Sequence, residues 1–350
     1  MSISELKKLP IEIDRVVLPL ETHYTTPGDL LYEPKTQVSI GQALTKFSST
    51  SITLHSPING IINNINNYPT LQSLGQLNSN LKIPSIEITK FDQDHNSIDK
   101  NNKNNKPHTD FLNTLNKYGI VGLGGAGFPT SNKLNSLINM IIVNCMECES
   151  PITSDNGLII NYSKNIISGL IILNNILKPK KIIIAIKKDM QLAITNLQEA
   201  LSQFNFSNAS NTSNNISIEI FDSNYGYPNG YSKSLIKLVT KQKIASHAHS
   251  SDHGIVCLNV ATVYAIEQAI NFNTPLIERV VTITGDLINN PGNYLLPIGT
   301  PIGTILNAFS VKYLNNLDIN LNIKIGGDYM GYELFNSNNP IHLENRDYLN

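Results

Sequence analysis

Five of the nine residues at 119–127 are glycine, in the order Gly119-Ile120-Val121-Gly122-Leu123-Gly124-Gly125-Ala126-Gly127. Glycine at that density excludes a regular helix or strand and leaves a loop whose backbone another group can approach closely. Phe128-Pro129-Thr130 close the loop, and a short helical run carrying Lys133 follows. An apolar strand at 140–143 then ends in Asn144-Cys145-Met146-Glu147-Cys148-Glu149-Ser150. Turning glycines before a helix start, with acids where a strand stops, suit the floor of a nucleotide or flavin site.

Gly122-x-Gly124-x-x-Gly127 matches the dinucleotide fingerprint, and Glu147 lies about 20 residues on, where a ribose-binding acid is expected. That fingerprint needs a buried strand in front of it. Here 111–118 reads as helix, only Ile120-Val121 precede the loop, and Phe128-Pro129 fall where the helix should pack. Three readings stay open: a Rossmann loop, a purely structural turn, or a different phosphate cradle made of glycine N–H groups and a helix N-terminus. Cys145-x-x-Cys148 supplies two thiolates, and Cys257 is a third candidate ligand, but a closed tetrahedral site needs four. A redox dithiol is the other chemical reading, and buried thiols at a strand end are the bland one. His247, His249 and His253 with Asp252 sit on a Ser-rich loop, where solvated side chains are expected over a metal site. No metal ligands are assigned.

Read in order, the chain predicts a multidomain α/β and β protein. Residues 1–100 show short strands with regular turn punctuation, as at Thr26-Pro27-Gly28-Asp29, Gly41 and Pro57 to Gly60. Residues 94–106 form a polar linker. Residues 107–275 alternate apolar strands with helical stretches, the signature of an α/β domain. Strands are expected at 181–186, 216–221 and 255–260, and helices at 110–117, 164–177, 190–203, 234–240 and 261–270. Residues 276–332 read as a compact α+β module and 333–350 as a tail. Asn runs at 63–67, 101–105 and 208–215 are read as loops, since Asn fits turns.

Charged residues are 15% of the 350, and net charge is −1, so no broad basic surface exists for nucleic acid. No apolar run reaches the ~18 residues of a membrane span, and Lys7-Lys8 precede no apolar signal region. Three cysteines agree with a reducing compartment, so the expectation is a chain made and kept in the cytoplasm.

The motifs together resemble a known family. Gly122-Leu123-Gly124-Gly125-Ala126-Gly127-Phe128-Pro129-Thr130 with Lys133 is similar to the flavin loop of the NADH-oxidising subunit of respiratory complex I. It is closer still to the C subunit of the Rnf electron-transport complex. Asn144-x-x-Glu147-Cys148-Glu149, Tyr227-Pro228-Asn229-Gly230 with Lys233, and Leu258-Asn259-Val260-Ala261-Thr262 continue the resemblance in the same order. Pro275 to Gly285, Ile298-Gly299-Thr300-Pro301 and Gly326-Gly327-Asp328 resemble its C-terminal β-grasp (SLBB-like) module. Ile40-Gly41-Gln42 and His55 to Gly60 resemble its N-terminal barrel-sandwich hybrid, here without a hairpin-tip Lys for lipoylation.

The resemblance implies a central α/β domain that holds FMN and takes hydride from NADH. Gly122, Gly124, Gly125, Gly127 and Lys133 would contact the flavin phosphate region, with Asn259 and Thr262 near the phosphate. Asn144 and Glu147 would lie near the flavin ring and ribityl chain. It also implies a peripheral place on the cytoplasmic side of the inner membrane, among other subunits of an Rnf-type complex and a ferredoxin-like electron carrier. Family members usually continue into a ferredoxin-like part with cysteine runs for 4Fe-4S clusters, which these 350 residues lack. Tyr231-Ser232 stand where Gly-Glu would be, Ser150 where Pro is usual, and Asn156-Gly157 where Asp-Arg would be. A fold without the redox activity, in a non-catalytic or assembly role, is the alternative.

Overall fold

The computed structural model describes residues 6–21, 24, 28–48, 51–69, 82–91, 108–149, 151–207, 215–309, 323–329 and 331–333. The expected linker at 94–106, Ser150, most of the Asn/Ser run at 208–215 and the tail past 333 lie outside them. The chain divides into two compact units, Met1–Glu5 with Asp99–Pro275, and Leu6–Ile98 with Leu276–Asn350.

The second unit opens with four antiparallel strands: β1 (Arg15–Pro19), β2 (Gln37–Val38), β3 (Gly60–Pro69) and β4 (Lys82–Lys90), in the order β1-β4-β3-β2. Alternation builds its core: Ile86 and Ile88 of β4 are fully buried with Val16, Leu18 and Ile62, while Glu87 turns to the other face. The Asn run at 63–67, expected as a loop, is strand instead. Asn64, Ile65, Asn66 and Asn67 pair with Glu87, Ile86, Ser85 and Pro84, and a bulge at Asn63 absorbs one residue. A continuous ladder partner outweighs the turn preference of Asn.

The first unit is built on four parallel strands: β5 (Met140–Cys145), β6 (Lys181–Lys187), β7 (Ile216–Phe221) and β8 (Ile255–Asn259), in the order β7-β6-β5-β8. The run Ile182-Ile183-Ile184-Ala185-Ile186 is buried throughout, as a parallel strand covered on both faces must be. Its helices are α1 (His108–Lys117), α2 (Thr130–Leu134), α3 (Ser154–Leu177), α4 (Gln191–Ser207), α5 (Ser232–Thr240) and α6 (Val260–Phe272). Leu235 and Ile236 of α5 pack with Ile142 and Cys257 on one sheet face. Helices α3 and α6 meet at Gly169, where an added Cβ would lie 2.6 Å from Val263 O. Lys178 ends α3 in the left-handed conformation, ahead of the predicted breaker Pro179.

Helix α3 is ten residues longer than expected at its N-terminal end. Tyr162 departs from helical angles (φ −130°, ψ 29°), so the apolar repeat breaks there and the polar first turns do not read as helix. Strand β5 likewise runs on through Asn144 and Cys145.

The second unit resumes with the hairpin β9 (Glu278–Ile283) and β10 (Gly292–Pro297), α7 (Ile302–Ala308), and the pair β11 (Lys324–Ile325) and β12 (Tyr332–Glu333). Tyr294, fully buried, meets Phe309 edge to face at 5.4 Å. Lys7 adds a bridge alongside β10, its N–H donating to Asn293 O at 2.8 Å. On the open edge of β1, Val17 N–H donates to Gly299 O at 2.9 Å.

Candidate functional site

Strands β6 and β7 lie on one side of β5 and β8 on the other, so the chain reverses its travel across the sheet between β5 and β8. In open parallel sheets the crevice beyond the strand ends at such a point is where ligands are held. Here it receives the loop after β5, the first turn of α6 after β8, and the glycine loop.

The glycine loop follows α1 and is closed on itself. Val121 bridges Pro129, Gly122 N–H donates to Phe128 O at 2.8 Å, and Gly127 N–H to Gly122 O at 3.2 Å. Gly125 (φ 104°) and Gly127 (φ 61°) occupy backbone regions that side chains disfavour. Leu123 N–H donates to Thr262 Oγ1 at 3.0 Å, which ties the loop to α6. A Cβ on Gly124 would sit 3.4 Å from Asn259 Cβ. Gly124, Gly125 and Ala126 are exposed, and their amides have no hydrogen-bond partner among the described residues. Beside them Asn259 caps α6, its Oδ1 accepting from Ala261 N at 2.9 Å. This set of N–H donors fits an anion. The Rossmann reading falls away, because a helix and not a strand leads into the loop and only the five-residue α2 follows it.

At the end of β5, Asn144 Nδ2 donates to Gly230 O at 2.7 Å and its Oδ1 accepts from Met146 N at 3.1 Å. The 227–230 loop is thereby drawn against the strand end so closely that a Cβ on Gly230 would lie 2.5 Å from Cys148 Sγ. Glu147 has φ 29°, and this turns its carboxylate back onto α3. Oε1 accepts from Asp155 N at 2.8 Å and Oε2 from Asn156 N at 3.2 Å. Glu147 is thus a cap for α3, donated from outside the helix, and compensates for a Thr153 side chain that makes no cap bond. Burial pushes its carboxyl well above the usual carboxylate range. The Asp155 charge adds to that, and the two amides and Lys187 pull back without offsetting it.

Lys133 lies half-buried on α2, and its charge is felt by Cys257, whose thiol also bonds to the Ser232 hydroxyl. The three thiols are not gathered. Cys257 pairs with Ile142 and shares its sheet face, whereas Cys145 is an odd step away and faces the other side. Burial raises all three thiols above their ordinary value, which disfavours the thiolate that redox exchange needs. Asp252 accepts from His249 N at 3.2 Å and closes the 3-10 turn Ser250–His253. Among the described residues no three His, Cys, Asp or Glu gather as a metal site requires.

The structure therefore brings Gly122, Gly124, Gly125 and Gly127 together with Asn259 and Thr262. It places Asn144 and Glu147 on the adjoining strand end, and Lys133 beside Cys257. Sequence reasoning missed Asp155, whose Oδ2 accepts from Asn259 Nδ2 at 2.8 Å. An acid in a first helical turn is a readable signal, but the helix was expected to start only at 164.

Residues 115–268 match the family described as the Nuo51 FMN-binding domain, and residues 3–84 the RnfC barrel sandwich hybrid domain. The C subunit of a Haemophilus influenzae ion-translocating oxidoreductase complex is 36% identical over 344 residues, covering 96% of this chain and 48% of that protein. The protein of the same name from Edwardsiella ictaluri is 32% identical over 339 residues, covering 96% of this chain and 40% of its own length. The chain thus spans about half the length of the curated relatives it matches. A NAD+-reducing NiFe-hydrogenase in the H2-reduced state is alike in fold, with TM-score 0.51, 21% identity, and coverage of 58% of this chain and 39% of its own. By these relations the chain is, over nearly its whole length, a homologue of the proteins named C subunit of an ion-translocating oxidoreductase complex.

Proposed function

We propose that residues 107–275 hold FMN at the switch point, and that the chain is the NADH-oxidising subunit of a membrane-bound, ion-translocating Rnf-type complex that passes electrons toward ferredoxin-type carriers. The observation that carries the reading is the row of amides at Gly124, Gly125 and Ala126, without a hydrogen-bond partner among the described residues, on a loop that stands beside Asn259 at the capped start of α6. A phosphate finds donors there without displacing any existing bond. FMN would supply the hydride and electron chemistry, and the protein the binding and orientation.

On this reading the glycine amides and the first turn of α6 bind the phosphate, with Lys133 as the nearby cation. Asn259 and Thr262 act by holding that turn and the loop in register. Asn144 fixes the 227–230 loop on the ring side of the site. Glu147 serves the site through α3, since both of its carboxylate oxygens are engaged there. Clusters of the 4Fe-4S kind do not fit these residues. Three cysteines fall short of four thiolates for even one, and no electron step is drawn through them.

The β9–β10 hairpin with α7 and the β11–β12 pair support a β-grasp, SLBB-like module at 276–332, and the antiparallel strands at 1–100 a barrel-sandwich module. Among the described residues no helix is long and apolar enough to cross a membrane. That is compatible with peripheral attachment on the cytoplasmic side, through other subunits.

A second reading, a non-catalytic or assembly role, is favoured by Tyr231. It meets Tyr227 edge to face at 5.9 Å, the two residues being 43% and 39% exposed, next to the Gly230 that Asn144 holds against the end of β5. An anaerobic visible spectrum separates the two. After addition of FMN and removal of the excess, stoichiometric bound flavin is expected, bleaching on addition of NADH. Flavin that stays oxidised with NADH supports the second reading, and no retained flavin sinks the first.

A further inference from the structure

Asp155 has no role in the reading above, yet it joins the two halves of the site. It stands in the first turn of α3. Its N–H donates to Glu147 Oε1 at 2.8 Å, its Oδ2 accepts from Asn259 Nδ2 at 2.8 Å, and Asn259 Oδ1 accepts from Ala261 N at 2.9 Å. An unbroken chain of bonds runs from the end of β5, through α3, to the first turn of α6.

The chemistry of the middle link matters. An Asn amide has a donor end and an acceptor end of nearly equal size, and it can cap a helix only with the acceptor turned inward. A carboxylate accepts and does not donate. Asp155 therefore admits only the Asn259 orientation that sends Nδ2 toward α3 and Oδ1 toward the Ala261 N–H. Gly124 leans on the Cβ of that same Asn259.

We propose that Asp155 is a positioning residue of the FMN site, acting through Asn259 to fix the first turn of α6 against the glycine loop. The inference rests on the reading that FMN is the ligand. The Cys145 thiol of β5 lies near both Asp155 and Glu147, and the Lys187 charge of β6 reaches Glu147. A pair of neighbouring carboxylates disfavours a further anion. Binding of a phosphate is therefore accompanied by proton uptake at the pair, and affinity falls as pH rises through the raised Glu147 value.

The test is a fluorescence titration of the whole chain with FMN across the neutral pH range, using Asp155→Ala and Asp155→Asn. Asp155→Ala is expected to weaken FMN about tenfold or more, as loss of a charge-assisted bond in the support of a site does. Asp155→Asn keeps an acceptor for Asn259 and is expected to restore most of the affinity. By removing the charge it also moves the pH-dependent fall to lower pH. The titration of the FMN phosphate itself cancels between the two proteins. Wild-type affinity in Asp155→Ala overturns the proposal, and so does equal weakening in both variants with an unmoved profile. If the wild-type chain binds no FMN, the functional reading fails. The positioning role is then read from amide exchange at Ala261, which Asp155→Ala accelerates and Asp155→Asn preserves; unchanged exchange in Asp155→Ala overturns it.

Discussion

Gly299→Ala lowers stability by about 3 kcal/mol or more, the combined effect of backbone strain and overpacking. Gly299 has φ 84°, and an added Cβ would stand 2.5 Å from Val17 O and 2.9 Å from Leu18 Cδ2. The Val17 carbonyl cannot step aside, because Val17 is paired to Glu87 across the β1–β4 ladder and its N–H is bonded to Gly299 O. Leu18 cannot yield either, being 1% exposed within the sheet core. Gly125→Ala is the matched control. Its φ of 104° imposes strain, but nothing lies within 4 Å of the new atom. Urea denaturation of both variants checks the argument. A Gly299→Ala midpoint no lower than that of Gly125→Ala would show that the turn and β1 do not meet as described.

Glu147→Ala is expected to cost about 1–3 kcal/mol, because it leaves the Asp155 and Asn156 N–H groups without their acceptors at the start of α3. Glu147→Gln is the more informative change. The folded chain holds the Glu147 proton to higher pH than the unfolded chain, which releases it near about 4.3. Between those two values the folded state binds more protons, so the contribution of this group to stability is complete below the unfolded value. It is lost as pH rises through the folded one. Glutamine cannot titrate and accepts only one of the two helix bonds. Glu147→Gln should therefore be less stable than wild type in acid and gain on it as pH rises. Glu267, also raised by burial, gives a slope of the same sign in both proteins and drops out of the difference. Denaturation at several pH values reads this directly, and a constant gap between the two chains would refute it.

The sequence made the α/β unit legible because apolar strands alternate with helical stretches, and the β character of the N-terminal part because of its turn punctuation, but β4, with Ile86 and Ile88, was not singled out. It misled where a local preference and a long-range partner disagree. Asn63 to Asn67 speak for a turn until β4 is present to pair with them. The polar first turn of α3, Ser154 to Gly157, carries no helical signal until Glu147 is present to cap it. The site was legible in the same uneven way. The glycine loop was legible from its own residues, whereas Asn259 and Thr262 came only with the family resemblance; in the structure Leu123 bonds to Thr262 and Gly124 stands beside Asn259. Asp155 was not legible, because its importance lies in which neighbour it accepts from, and that neighbour is 104 residues away.

The bond between Val17 and Gly299 also bears on how the chain leaves the ribosome. Strand β1 is synthesised early, but the turn that covers its free edge emerges only after the whole of the parallel-sheet unit has been made. Until that turn is made, an apolar strand with an open ladder edge waits uncovered, a state that invites pairing with another chain. The free edge of β1 is met by a much later turn, and the order of synthesis runs against the order in which that protection is needed.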